Sequence, residues 1–255
     1  MEETHAVTTS TSAGESTLDI RSQEFFASLL NEQSEKLRSL KHGDTMDGII
    51  LAVHDHELVI DIGANLGYFA KNFARLANKG KVIAIEPLPQ FHAILAHFIG
   101  HQENVELHNV ALGKEAGSIT MVLPQTNGML RTGLPHIMRP EEKSTTERTQ
   151  SVQMVNTADF FHTFERIDYI KCDIEGHEWE VFELLETILA SKRPIVQLEI
   201  DPKNETTLFA FFEKLQYQRC GIDQNICKVE STVHFGGDYL FVPKENLQLL
   251  DRWNA

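Results

Sequence analysis

The sequence predicts an α/β fold, a mainly parallel sheet covered by helices on both faces. Two observations predict it. Short β-branched runs alternate along the chain with segments whose apolar residues recur at helical spacing, the pattern of successive βαβ units. The tightest unit, from Glu57 to Glu86, reads strand, glycine turn, helix, strand, acid, which is the layout of a nucleotide-binding half.

Within that unit Leu58 to Ile62 is a short apolar run of the length and composition of a buried strand. Gly63-Ala64-Asn65-Leu66-Gly67 follows. Gly63 lets the backbone turn where a Cβ would collide with a ligand, and Asn65 tolerates a left-handed conformation. Phe69, Phe73, Leu76 and Ala77 then mark a helix that begins near Leu66 and stops at Asn78-Lys79-Gly80. Its free N–H groups suit a carboxylate or a phosphate. Lys81 to Ile85 is the second strand. Glu86 at its carboxyl end, followed by Pro87, offers an acceptor pair to the vicinal hydroxyls of a ribose.

The glycine spacing separates two ligand classes. Dinucleotide binders carry G-x-G-x-x-G, whose second glycine lets the backbone approach a pyrophosphate. Here the spacing is G-x-x-x-G, Asn65 stands in the place of that second glycine, and Asp61 would repel a pyrophosphate. A sulfonium cofactor with an amino-acid tail carries a positive centre and suffers no such repulsion. S-adenosylmethionine is therefore favoured over NAD, with Asp61, Gly63, Asn65, Gly67, Glu86 and Pro87 on the cofactor side.

The remaining elements follow in order. Residues 1–17 are rich in Ser, Thr and Glu without periodicity and read as a disordered tail. Residues 18–47 form a helical extension, with Phe25, Leu29, Leu37 and Leu40 on one face, read as a cap on the sheet or as a substrate lid or homodimer contact. The main domain spans residues 48–255. Gly48 to Val53 is a short strand or a buried helical turn, and His54-Asp55-His56 is a loop at the wrong end of the sheet for a ligand. Phe91, Ile94, Leu95, Phe98 and Ile99 mark the second helix. Asn104 to Leu112 is the third strand, with Asn109-Val110-Ala111 where an adenine ring would lie. Gly117 to Leu123 is a further strand. Pro124 to Gln150 shows no period, and Arg131, His136 and Arg139 make it a candidate substrate lid.

Gln153 to Val155 resumes as a strand, and Thr157 opens a helix bearing Phe160, Phe161 and Phe164. Ile167 to Ile174 is the fourth parallel strand, ending in Asp173-Ile174-Glu175-Gly176-His177. One helix through Val181, Leu184, Leu185 and Ile188 follows, with Glu178, Glu180, Glu183 and Glu186 largely on its solvated side. Pro194 to Ile200 is the fifth strand. Asn204 caps a helix through Leu208, Phe211, Phe212 and Leu215, and two closing strands, Tyr217 to Ile222 and Asp238 to Val242, flank an irregular loop.

Composition sets bounds. The net charge is −14, from 37 acidic and 23 basic residues, which repels nucleic-acid phosphates and anionic membranes. Cys172, Cys220 and Cys227 are odd in number and make no CxxC pair, which points to a reducing compartment. With no signal-peptide pattern and no bilayer-length apolar run, the chain reads as cytoplasmic.

Several motifs together resemble the FkbM family of S-adenosylmethionine-dependent methyltransferases. Val59-Ile60-Asp61-Ile62-Gly63-Ala64-Asn65-Leu66-Gly67-Tyr68 resembles that family's cofactor motif. Asp168 to Glu178, with its Asp-x-Glu-Gly core, resembles the second signature. Ala111-Leu112, Thr157-Ala158-Asp159, Pro194 to Glu199 and Tyr239 to Pro243 also fit. His177 stands where the family usually has a small residue. The resemblance implies a class I, Rossmann-like methyltransferase fold with a mostly parallel seven-stranded sheet. It also implies O-methylation of a hydroxyl on a sugar, polyketide or other small specialised metabolite.

Methyl transfer needs an oxygen aligned behind the methyl and a route for its proton. Asp173, Glu175 and His177 meet at the end of the fourth strand, and His177 or Asp173 is the candidate base. In the competing version Asp173, Glu199 and Asp201 hold a magnesium ion that lowers the hydroxyl pKa. A non-catalytic cofactor-binding protein and a NAD-dependent oxidoreductase are the alternatives in function.

Overall fold

β-Branched and aromatic runs build the sheet that the sequence predicts, and the first of them anchors its centre. The computed structural model describes residues 53–127, 129–142, 147–223, 226–229 and 238–250. The tail and helical extension assigned to residues 1–47 lie outside the described residues.

In chain order the elements are β1 (Leu58–Ile62), α1 (Tyr68–Leu76), β2 (Lys81–Ile85), α2 (Pro89–Ile99), β3 (Val105–His108), β4 (Ala111–Gly113) and β5 (Gly117–Leu123). Three two-residue strands follow, β6 (Gln125–Thr126), β7 (Met129–Leu130) and β8 (His136–Ile137), then β9 (Arg148–Asn156) and α3 (Thr157–His162). The chain continues through β10 (Tyr169–Cys172), α4 (Glu178–Phe182), α5 (Glu186–Lys192), β11 (Ile195–Glu199) and α6 (Glu205–Lys214). It closes with β12 (Tyr217–Asp223), β13 (Ile226–Val229) and β14 (Asp238–Pro243).

The main sheet has eight strands in the order β13-β12-β14-β11-β10-β1-β2-β3. The five from β11 to β3 are parallel, and β14, β12 and β13 add antiparallel pairings. The expected seven-stranded, mostly parallel sheet is thereby corrected: the segment between the two closing strands supplies an eighth strand, and three of the seven pairings are antiparallel. Alternate residues of the central strands face opposite layers. Ile60, Ile62, Ile170, Cys172, Val196 and Leu198 pack against Val181, Leu185, Leu189 and Phe212 of α4 to α6. Val59, Val82 and Tyr169 pack against Phe73 and Ala74 of α1 and Ala77 at its C-terminal end. Each such fully buried side chain contributes about 1.5–3 kcal/mol, so both helical layers are held by the strands' two-residue period.

A second sheet, in the order β4-β9-β5-β8, differs from expectation. The third strand expected over Asn104 to Leu112 breaks at Asn109-Val110, so that Ala111 to Gly113 leaves the main sheet and pairs in parallel with Met154 to Asn156. The segment from Pro124 to Gln150, read as a loop, carries β6, β7, β8 and the start of a nine-residue β9. Leu123 and Val152 of this sheet pack with Leu66, Leu88 and Phe91, which seats it beside the glycine turn.

Local chemistry sets the helix ends. Pro89 starts α2 at a position that needs no N–H. Asn156 Oδ1 accepts from the Asp159 amide to cap α3. The single helix expected after the fourth strand is two helices. The Leu184 and Leu185 amides donate to Val181 and Phe182 carbonyls, three residues back, and this tightening separates α4 from α5. Glu178 also departs from its expected place on the solvated side. It is 1% exposed, and its carboxylate accepts from the Gly176 amide (2.6 Å) and Asn204 Nδ2 (2.8 Å). Asn204 therefore braces the Gly176 turn, with no side-chain bond to its own helix.

Candidate active site

At the carboxyl ends of β1, β2 and β10 the chain opens a cleft of about 720 Å³, partly open to solvent. Two sharp turns frame it. After β1 come Gly63 (φ 78°), Asn65 (φ 52°) and Gly67 (φ 97°), and after β10 come Glu175 (φ 52°) and Gly176 (φ 97°), all left-handed. Asn65 and Glu175 carry a Cβ there, a strain of the kind that marks functional turns.

The two turns touch. A Cβ built on Gly63 would overlap the carbonyl oxygen of Asp173, so glycine is required by the neighbouring strand end as well as by any ligand. The Asp173 amide donates to the Ile62 carbonyl (3.1 Å), and the Gly63 and Ala64 amides donate to Ile85. The glycine turn is thus sewn between β2 and β10.

Glu86 lies at the opposite wall. Its Oε2 accepts from the Asn65 amide (2.8 Å) and its Oε1 from the Leu88 amide (2.9 Å). Each oxygen keeps a further lone pair for a hydroxyl donor. Burial pushes the Glu86 carboxyl up to about 7, against those two amides. Asn109 supports this wall from behind, its Nδ2 donating to the carbonyls of Glu86 and Pro87.

Asp61, Lys171 and Gln197 form a buried polar row across β1, β10 and β11. Neither Asp61 oxygen has a hydrogen-bond partner, although the Ala70 amide and the Lys171 ammonium favour its charge. Burial dominates and raises its pKa from 3.8 to about 6. The folded protein therefore holds a proton that the unfolded chain has lost, and stability falls as pH rises through that window. Asp61→Asn removes this dependence. The wild-type melting temperature minus that of Asp61→Asn should decline between pH 4 and pH 7 in the ligand-free protein; a flat difference would remove Asp61 from this role. Lys171 Nζ lies 3.3 Å from Asp173 Oδ2 and 4.4 Å from the Phe69 ring centroid, which ties Asp173 to the same buried charge.

The β10 turn supplies the other polar groups. Glu175 is pushed up to about 7 by burial first and by Asp173 and Glu178 next. His177 is held below its ordinary 6.5, chiefly by burial, with Lys203 and Lys114 acting in the same direction and Glu180 and Glu183 opposing. Its Nε2 is buried without a hydrogen-bond partner.

Of the residues expected from the sequence, Gly63, Asn65, Glu86, Pro87, Ala111, Asp173, Glu175 and His177 line the cleft. Asp61, Gly67 and Asn109 do not; they sit behind it. Glu199 and Asp201 are also outside the lining, and among the described residues no three His, Cys, Asp or Glu side chains are placed to hold a metal ion. Arg139 spans from the inserted segment to the Glu175 carbonyl (3.3 Å) and Asp201 (3.7 Å), and His136 Nε2 pairs with Glu142 (2.9 Å). The cleft instead takes Gly133, Pro135 and Ile137 from that segment, with Leu88, Phe91 and Met121, none of which was singled out from the sequence as a site residue. Gly133, Pro135 and Ile137 lie in a stretch without period, and Leu88, Phe91 and Met121 read as ordinary apolar residues of their elements.

The arrangement fits a cationic nucleoside. It offers an oriented acceptor pair at Glu86, an apolar wall for a base, and the Asp173 carboxylate, with Asp61 buried behind it. No helix among the described residues is long and apolar enough to cross a membrane.

Comparison with known proteins places this geometry. Among curated proteins none matches the sequence. Among solved structures, methyltransferase FkbM from Methylobacillus flagellatus superposes with a TM-score of 0.50 at 12% identity, over 87% of this chain and 59% of that one. This chain thus spans less than two thirds of that protein's length. An S-adenosylmethionine-dependent O-methyltransferase from Thermotoga maritima is similar at a TM-score of 0.46 and 13% identity, over 84% of this chain and 71% of its own. The Methyltransferase FkbM domain matches residues 61–221, from the buried Asp61 into the first closing strand, β12. The chain belongs to the FkbM family of S-adenosylmethionine-dependent methyltransferases.

Proposed function

We propose that the protein transfers a methyl group from S-adenosylmethionine to a hydroxyl of a sugar, polyketide or other small metabolite. One observation carries the reading. A single cleft holds the glycine turn with Glu86 at one wall and, at another, an imidazole kept neutral by burial with one nitrogen unpartnered. The bound cofactor supplies a methyl already activated by its sulfonium. Glu86 holds the ribose hydroxyls, Asp61 and Asp173 favour the positive charge, and Leu88, Phe91, Val110 and Ala111 bury the base. His177 or Asp173 takes the proton from the acceptor hydroxyl, His177 being the first choice because its neutral ring is a ready acceptor at pH 7.

A magnesium ion on Asp173, Glu199 and Asp201 is the less favoured version, since those three do not converge on the cleft. A NAD-dependent reaction is disfavoured by Asp61 and by Asn65 in the turn. The net charge of −14 argues for a small acceptor over a nucleic acid or an anionic membrane surface. The odd cysteine count supports a cytoplasmic setting.

Calorimetry tests the cofactor half. The protein should bind S-adenosylmethionine, and Glu86→Ala should weaken binding by about 1–3 kcal/mol through lost hydrogen bonds to the ribose. Equal affinity in the variant would remove Glu86 from the site. Incubation with methyl-labelled S-adenosylmethionine and a fractionated metabolite extract tests the other half. Label should appear in a small hydroxylated product; binding without any transfer would leave a non-catalytic cofactor-binding protein.

A further inference from the structure

Behind His177 lies a carboxylate that does not line the cleft. Glu180 is three residues further along α4, and its Oε2 sits 3.8 Å from His177 Nδ1. That oxygen is buried and accepts no hydrogen bond. The ring's other nitrogen, Nε2, is buried and equally without a partner, while the ring itself lines the cleft. A buried carboxylate oxygen and a buried imidazole are thus left facing each other, and such groups are costly unless they pair.

Other charges surround the pair. From the turn after β4, Lys114 Nζ pairs with Glu183 at 2.7 Å and also acts on Glu180 through charge. From the turn after β11, Lys203 lies near Asp201 at 3.7 Å. On the ring's own turn, Asp173 and Glu175 share the cleft wall. An Nδ1–H directed at Glu180 gives its Oε2 a donor, and His177 Nδ1 lies 3.8 Å from it. Closing 3.8 Å to a hydrogen bond takes about 1 Å of side-chain movement, and catalytic hydrogen bonds are often this loose before ligands bind.

We propose that Glu180 is a positioning residue for His177, holding the imidazole as its Nδ1–H tautomer so that the Nε2 lone pair receives the acceptor's proton. The proton of the hydroxyl ends on Nε2, and the imidazolium so formed faces the negative charge of Glu180. The inference rests on the methyltransferase reading in which His177 is the base.

Nitrogen-15 spectra of the histidine-labelled full chain test it, with the His177 signals identified by their loss in His177→Gln. At neutral pH without ligands, Nδ1 should be protonated and Nε2 bare. Glu180→Gln should shift the population toward the Nε2–H tautomer and lower the His177 titration midpoint, because the opposing negative charge is gone. Glu180→Asp should restore part of both effects. A wild-type Nε2–H tautomer overturns the proposal, and so does a folded Glu180→Gln protein with unchanged tautomer and midpoint. Should Glu180→Gln fail to fold, the wild-type tautomer decides alone. Failure of methyl transfer leaves these spectra standing, and an Nε2–H tautomer leaves methyl transfer through Asp173 intact, so the two readings fail separately.

Discussion

Gly63→Val should lower the melting temperature by about 8–16 °C and abolish S-adenosylmethionine binding. Gly63 has φ 78°, which a β-branched residue does not adopt without strain, and its Cβ would overlap the Asp173 carbonyl. Together these effects reach about 4 kcal/mol, and each kcal/mol lowers the melting temperature of a domain this size by about 2–4 °C. The clash falls on the contact between β1 and β10, so whatever folded population remains has its two cleft turns pushed apart. Thermal melts and calorimetry read the two effects separately. A variant that melts like wild type and binds normally would show that the turn is not where the cofactor sits.

His177→Ala should cost about 10²–10⁴ in turnover on the acceptor that the extract screen yields, with cofactor affinity little changed. Asp173→Asn should cost as much only if Asp173 is the base; it also removes a charge beside Lys171 and so weakens cofactor binding. Because burial holds His177 below 6.5, turnover should be on its plateau at pH 7 and fall as acid protonates the ring. Chelators should leave the rate unchanged. Inhibition by EDTA that magnesium reverses, with His177→Ala still active, would overturn the choice of base and return the metal to Asp173.

The glycine turn and the Glu86 wall were the most legible part of the sequence, for a local reason. Strand, turn, helix, strand and acid follow one another within thirty residues or so, and each leaves a short-range mark in composition. Gly63 was half legible: its glycine was visible, but the group it makes room for includes the Asp173 carbonyl, more than a hundred residues away. Glu178 misled because a charge on a helix is usually solvated, and nothing local announces that Asn204 and the Gly176 amide will hold it buried. The second sheet was legible only in pieces. Strand β5 was read over Gly117–Leu123 and β9 only at Gln153–Val155, whereas β6 to β8 have two residues each, and the pairing of Gly117–Leu123 with Arg148–Met154 joins segments far apart in the chain and leaves no local mark.

That second sheet has a consequence for how the family diversifies. The chain leaves the main sheet at His108 and rejoins it at Tyr169, and the intervening excursion contributes Met121, Gly133, Pro135 and Ile137 to the cleft. Its central part, around the cleft, is tied to the frame by Asn65 Nδ2 on the Thr132 carbonyl (2.7 Å) and by Arg139 on Glu175 and Asp201. Asn65, Glu175 and Asp201 belong to the frame and stay behind when the excursion is exchanged. On the proposed function, the part of the excursion beyond Ala111 and Leu112 is separable from the cofactor wall, and an insertion that replaces Met121 to Ile137, provided that it keeps an arginine at the Arg139 position, is expected to change the molecule methylated while the donor stays the same.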